Sequence, residues 1–308
     1  MAAPESSSPF LPAAPCPGRD RGAGLGLLVL ALVLGLGGLG LGYWTGRGRV
    51  ASLTTSPPEV PYRAVVALET HTADGTVHWA SGSIVSPDGL ILTCAHAVWP
   101  AEQSAPPARI VVHMLNEVDQ PPAPRYEARV VQLDTALDLA VLRVVADAQG
   151  HPVDPASLHL PSLPLGDPEA LTLGAPLTVL GYPNIGGTTL TLTQGVVAGF
   201  RAQAPYGSRA WIKTTAAVAR GSSGGAVLDR SGHLVAVPVQ VGAGDGAPVA
   251  DCRVVVDTNQ DGVVDSDDRC IPVGGFLNAL RPVSLARRLI DAARAGQVRV
   301  PTPWPTPT

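Results

Sequence analysis

Residues Ala219–Asp229 read ARGSSGGAVLD, with Ser222 and Ser223 set between Gly221 and the pair Gly224–Gly225, just before an apolar run. A serine alcohol is a weak nucleophile, so one that reacts must be held in a fixed, exposed and often strained geometry beside a base. Flanking glycines allow backbone angles that other residues avoid and let a substrate backbone approach closely. They also leave N–H groups free to point at an oxygen that becomes negative during acyl transfer. A Gly/Ser stretch also serves as a plain turn, so the remainder of the chain has to supply a base and an acid.

The 308 residues are enough for one or two domains with a real core. A formal net charge of -4, with no basic run, argues against nucleic acid as a partner. Gly 34 and Pro 31, few aromatics and short Val/Leu/Thr runs between turn signals favour an all-β domain. Four cysteines are too few for a disulfide scaffold.

Residues 1–21 begin with a Pro/Ala/Ser-rich stretch that has little to bury and reads as a disordered tail. Residues 22–44, GAGLGLLVLALVLGLGGLGLGYW, carry no charge. At about 1.5 Å per residue that length spans a hydrocarbon core of roughly 30 Å. Arginines 19 and 21 flank one end; Arg47 and Arg49 flank the other, with Tyr43 and Trp44 at interface depth. A transmembrane signal anchor fits better than a cleaved signal peptide, because the run is long for a leader and no small-x-small site follows it closely. Residues 45–61 form a Pro-containing linker.

Strand-like runs follow at 63–68, 78–85, 90–94, 109–115, 128–133, 139–145, 177–180, 188–200, 210–215, 226–228 and 234–239, many bounded by turn signals such as Pro87-Asp88-Gly89. A helix is expected after Pro282, with an apolar face of Ala286, Leu289, Ile290 and Ala293 and a stop at Gly296. Residues 297–308 read as a Pro/Thr-rich tail.

Of seven histidines, only His96 follows an apolar strand in a small-residue setting, ILTCAHAV. Asp138 opens the run DLAVLRV, where an unpaired charge would be costly. Asp134 is the rival acid, in a polar turn with no apolar run directly after it. The order His96, Asp138, Ser223 is that of the trypsin-type triad. The segments GSIVSPDGLILTCAH, LDLAVLRV, LTVLGYPNIGGTTLTLTQGVVAG and WIKTTAAVARGSSGGAVLDRSGHLVAV resemble those of HtrA/DegP-type trypsin-like serine proteases, from about Tyr62 to Gly296.

That resemblance implies an all-β fold of two six-stranded barrels with a C-terminal helix, spanning 62–296, and a serine endopeptidase acting on polypeptides in protein quality control. It implies Ser223 as nucleophile, His96 as base and Asp138 as its orienting acid, with the N–H groups of Gly221 and Ser223 as the oxyanion hole. Val218, five residues before the nucleophile, would line the primary specificity pocket. No acid stands there, so a small or branched aliphatic residue before the cut is expected rather than Arg or Lys. Strand 235–240, with Val235 and Val237, would pair with substrate as an added strand, and Pro238 on it lacks an N–H. The PDZ domains usual in HtrA-type enzymes have no counterpart in this sequence. A non-catalytic surface binding or adhesion protein on the same fold is the alternative function. Oligomeric state is open, a homo-oligomer included.

Between the run ending near Val241 and GGFLNAL at Gly274, the resemblance leads one to expect a short loop; this chain has an insertion of about 30 residues, 242–273. In it Asp257, Asn259, Asp261, Gly262, Asp265 and Asp268 fall at positions one, three, five, six, nine and twelve of a calcium loop, with Val263 offering its carbonyl. Asp at the last place, followed by Cys270, is similar to dockerin and thrombospondin type 3 loops. No convincing helix flanks it. Ca2+ would be structural or regulatory and is not needed for the chemistry. Cys252 and Cys270 bracket the loop, and closing it with a disulfide would contribute about 3 kcal/mol in the chain-entropy model. Such a pairing belongs in an oxidising compartment, which places the protease domain outside the cytoplasm and residues 1–21 inside. Cys94 reads as a small buried thiol.

Overall fold

The computed structural model describes residues 61–99, 105–183, 189–239, 252–253, 262–265, 271–272 and 277–300. The expected anchor at 22–44, the proposed ligands Asp257, Asn259, Asp261 and Asp268, Cys270 and the end of the Pro/Thr tail lie outside these residues. Among the described residues no helix is long and apolar enough to cross a membrane.

Twelve strands close two antiparallel barrels. The first contains β1 (Val65–His71), β2 (Val77–Ser86), β3 (Leu90–Thr93), β4 (Arg109–Met114), β5 (Ala123–Asp134) and β6 (Leu139–Asp147), in spatial order 1-2-3-6-5-4. It closes because β1 pairs with β2 on one edge and β4 on the other, Val65 opposite Ser83 and Ala67 opposite His113. The second is built from β7 (Pro176–Gly181), β8 (Thr191–Gln203), β9 (Gly207–Thr214), β10 (Ala226–Leu228), β11 (Leu234–Pro238) and, after the insertion, β14 (Asn278–Pro282). Its order is 10-11-14-9-8-7, closed by β7 pairing with both β8 and β10. Within the insertion, β12 (Cys252–Arg253) and β13 (Ile271–Pro272) form a two-stranded ladder with Cys252 opposite Pro272. The all-β, two-barrel architecture expected from the sequence is therefore present.

Closure leaves neither barrel a free sheet edge, and it explains where apolar runs are continuous rather than alternating. Leu90–Thr93 is buried at every position, since one face lines the first barrel and the C-terminal helix covers the other. That helix, α2 (Val283–Arg294), follows a single turn, α1 (Ala95–Val98), as the second of two α-helices among the described residues. It buries Val283, Ala286, Ile290 and Ala293, an i, i+3, i+7, i+10 stripe. It rests on β3, β5 and β6 of the first barrel and β11 of the second. Gly296, with φ of +72°, ends it as expected: Gly296 N–H donates to Ala293 O and Gln297 N–H to Ala292 O, the paired bonds of a Schellman stop.

Three local differences from the sequence reading have simple causes. Strand β5 begins at Ala123 rather than 128, because its polar first half is held by ladders to both β4 and β6. The twelfth barrel strand is Asn278–Pro282, which takes up only the last three residues of the GGFLNAL run and continues to Pro282, in a segment too short and Pro-bounded to show alternation. The chain after Gly296 also continues in contact with the barrel: Arg299 N–H donates to Val131 O at 2.8 Å, Leu133 N–H donates to Arg299 O at 3.1 Å, and Val300 packs on the core.

Candidate active site

The cleft is assembled at the ends of strands. Where β3 ends, Cys94 turns the chain into α1, whose second residue is His96. Just before β6, Asp138 holds a φ of +54°, the single non-glycine residue with positive φ among the described residues. Aspartate tolerates this left-handed conformation better than most, though at a cost of about 1–2 kcal/mol. The conformation aims its carboxylate back at α1. There His96 N–H donates to Asp138 Oδ1 at 2.9 Å, and His96 Nδ1 lies 2.6 Å from Asp138 Oδ2. A carboxylate only accepts, so Nδ1 carries the proton and Nε2 is left as the basic nitrogen. The rival Asp134 accepts the Leu137 N–H at 2.9 Å and serves the turn instead.

Ser223 reaches the same place from the second barrel. The turn before β10 is fixed by its own main chain: Ser222 N–H donates to Ala219 O, Gly225 N–H to Ser222 O and Gly224 N–H to Pro238 O, each at 3.0 Å. Gly221 and Gly224 have φ of +94° and +83°. At Gly224 a Cβ would fall 2.1 Å from Thr93 Oγ1 and 2.2 Å from Ser81 O, so glycine is required for space as well as angle. Those contacts set the serine turn directly against the strand that ends three residues before His96. Cys94 links the two sides as well, its thiol donating to Pro238 O at 3.2 Å, the same oxygen that accepts the Gly224 N–H. Burial, then the charge of Asp138, pushes that thiol well up, so Cys94 stays protonated, in keeping with a buried structural thiol.

Of the five N–H groups from Gly221 to Gly225, those of Ser222, Gly224 and Gly225 donate to carbonyls, and those of Gly221 and Ser223 have no acceptor among the described residues. Ser223 is recessed rather than exposed, 4% accessible.

Two residues that sequence reading passed over hold this arrangement. Ser81 on β2 is fully buried; its Oγ donates to Gly221 O (2.7 Å) and accepts the Tyr182 N–H (2.8 Å), while its own N–H donates to Ser223 O (2.9 Å). Thr93 Oγ1 in turn donates to Ser81 O at 2.7 Å. The second is Arg281 on β14, fully buried, whose Nε donates to Leu137 O at 2.9 Å. In each case the signal was a polar side chain inside an otherwise apolar strand, Ser81 in WASGSIV and Arg281 in NALRPV.

The substrate-side expectations fare differently. Val218 is half-buried against the core of the second barrel, in a segment tied down by Asn278 Nδ2 donating to Ala216 O (2.8 Å) and Thr193 Oγ1 donating to Ala217 O (2.7 Å). The expectation that Val235 and Val237 pair with substrate is overturned. Strand β11 is paired to β10 on one side and β14 on the other, and both valines are fully buried. Barrel closure has taken the edges that a substrate strand would need. Only chain beyond Pro238 is left for that purpose, of which Val239 alone lies among the described residues. In the insertion, Gly262 adopts φ of +88° and Val263 is exposed.

Residues 80–237, just over half the chain and containing His96, Asp138 and Ser223, match the trypsin-like peptidase domain. The chain belongs to the trypsin-like peptidase domain family. Among curated relatives of this trypsin-like chain, a probable periplasmic serine endoprotease DegP-like from Halomonas elongata is 30% identical over 162 residues, covering 52% of this chain and 29% of the relative. Serine endoprotease DegS of Haemophilus influenzae is 31% identical over 161 residues, covering 51% of this chain and 40% of that protein. The chain thus spans well under half the length of these relatives. Of solved structures, HtrA-type protease AlgW with tripeptide superposes with a TM-score of 0.52 at 24% identity, covering 77% of this chain and 62% of that one, and shows the shared fold.

Proposed function

We propose that this trypsin-like domain is a serine endopeptidase in which His96, Asp138 and Ser223 act as base, orienting acid and nucleophile. One observation carries the reading: the His96–Asp138 pair and a serine turn with two unengaged N–H groups are built against each other across the barrel interface. Ser223 Oγ attacks the peptide carbonyl carbon while His96 Nε2 takes the hydroxyl proton. Negative charge develops on the carbonyl oxygen, to which the N–H groups of Gly221 and Ser223 donate; losing one such donor typically costs about 100- to 1000-fold. His96 then returns the proton to the leaving amine. Asp138 keeps the ring in the productive tautomer and stabilises the imidazolium. Water, activated by the same base, hydrolyses the acyl-enzyme.

Polypeptides are the proposed substrates, in extracytoplasmic quality control, a reading supported by the names of the DegP-like and DegS relatives. Val218, apolar and seated beside the nucleophile turn, favours a small aliphatic residue before the cut. Residues 22–44 would anchor the domain, and homo-oligomers are compatible with this reading. The 257–268 loop would hold Ca2+ through Asp257, Asn259, Asp261, the Val263 carbonyl, Asp265 and Asp268; the left-handed Gly262 at position six fits that bend. Bound there, the ion would tie the insertion together, with no part in bond cleavage. The β12–β13 ladder brings the two ends of the insertion together, which favours a Cys252–Cys270 disulfide.

A fluorophosphonate probe applied to the full-length chain tests the central reading. Wild type should label and turn over an Ala- or Val-containing peptide, and Ser223→Ala should do neither. Wild type that stays unlabelled while folded would favour the non-catalytic binding protein. Unfolding followed with Ca2+ and with chelator tests the metal loop, with a lower midpoint expected in chelator.

A further inference from the structure

The acid half of the site is held from the opposite barrel. The Leu137–Asp138 peptide plane determines φ of Asp138, and both of its polar ends are gripped: Asp138 N–H donates to Thr135 O at 3.3 Å, and Leu137 O accepts Arg281 Nε at 2.9 Å. Arg281 comes from β14 and is locked in turn. Its Nη1 donates to Gln203 Oε1 and Ala210 O, each at 3.0 Å, and its guanidinium lies 3.4 Å from the ring centroid of Trp211. Trp211 Nε1 donates to the same Gln203 Oε1 at 2.8 Å. These oxygens are all neutral, and among the described residues no carboxylate comes within ion-pair distance of Arg281.

A fully buried cation bonded only to neutral groups is an expensive way to fill space; an apolar side chain of similar volume would do so without the desolvation cost. We propose that Arg281 is a positioning residue for the acid half of the site: its fork clamps the Leu137 carbonyl so that Asp138 keeps its left-handed conformation and its carboxylate stays aimed at His96. Burial draws the guanidinium down to about 10, while Asp138 is the largest influence acting the other way. The other charged or titratable groups acting on it are Tyr206 and Asp134, which support its charge, and Arg201, which opposes it. On the His96 side, Cys94 and Asp138 are the neighbours.

The inference rests on the triad reading above, and one experiment separates the two. Fluorophosphonate labelling rates and kcat/KM of the full-length chain are measured for wild type, Arg281→Met and Arg281→Lys. Arg281→Met should lower kcat about 10- to 100-fold with KM changed less than about twofold. Arg281→Lys keeps the charge and loses the fork, so its kcat should fall as well, again with KM changed little. If wild type labels at Ser223 and folded Arg281→Met matches it in labelling rate and kcat, the proposal is overturned with the triad intact. If neither variant keeps the wild-type circular dichroism, Arg281 serves folding and the proposal falls as well. Absence of labelling in wild type would instead remove the triad reading.

Discussion

The two barrels contribute different materials to one cleft. The first supplies side chains, His96 and Asp138, joined by two short hydrogen bonds and aimed by strand ends. The second supplies the Ser223 hydroxyl on a turn whose main chain offers two unengaged N–H groups, shaped by glycines with positive φ. Each half is then held by the other barrel. Ser81 of the first grips Gly221 O and Ser223 O of the second, while Arg281 of the second grips Leu137 O of the first. Relative motion of the barrels would therefore disturb both halves together. A side-chain half should lose activity without losing fold; a main-chain half should lose both, because its geometry is also its hydrogen bonding.

Asp138→Asn is the sharpest way to break the first half alone. The amide oxygen still accepts the His96 N–H, but the amide nitrogen opposes the required tautomer. We expect kcat to fall on the order of 10⁴-fold with little change in melting temperature, measured by peptide turnover and thermal unfolding. Ser81→Ala attacks the second half. It leaves Gly221 O and the Tyr182 N–H buried without their partner, so about 2–4 kcal/mol of stability should be lost, with labelling of Ser223 slowed about 10- to 100-fold as the oxyanion donors shift. Loss of activity at unchanged stability would contradict the distinction drawn between the halves.

The smallest effect is at Tyr182, whose N–H bonds Ser81 Oγ and whose hydroxyl donates to Val65 O across the barrels. Burial raises the pKa of this phenol well above its usual value. The folded state therefore keeps a proton that the unfolded chain releases above about pH 10. Its contribution is whole below that pH and is lost as pH rises from there toward the folded value. Tyr182→Phe should match wild type near neutrality to within about 1 kcal/mol and show a shallower alkaline decline in denaturant unfolding. Identical alkaline slopes would mean that the cross-barrel phenol is solvated.

Much of this was legible along the chain because the signals are local. GSSGG before AVL, His96 after ILTCA and Asp138 before LAVLRV each mark a polar group at the end of an apolar strand, where strand geometry alone puts side chains at a rim. The helix stop at Gly296 was equally local, a single left-handed residue after an amphipathic stripe. The substrate strand was misplaced for the opposite reason. Whether Val235 and Val237 have a free edge depends on which strands flank β11, and its β14 partner lies beyond the insertion.

The amino-acid order by itself specified the all-β class and put His96, Asp138 and Ser223 at the ends of apolar strands, since glycine placement and apolar periodicity act over a few residues. Only the tertiary structure revealed what keeps them in register: Ser81 is 140 residues from Gly221, and Arg281 is 144 from Leu137. A buried polar group chooses its partner by proximity in the packed interior, and closing a barrel fixes that proximity in a way that no stretch of sequence records.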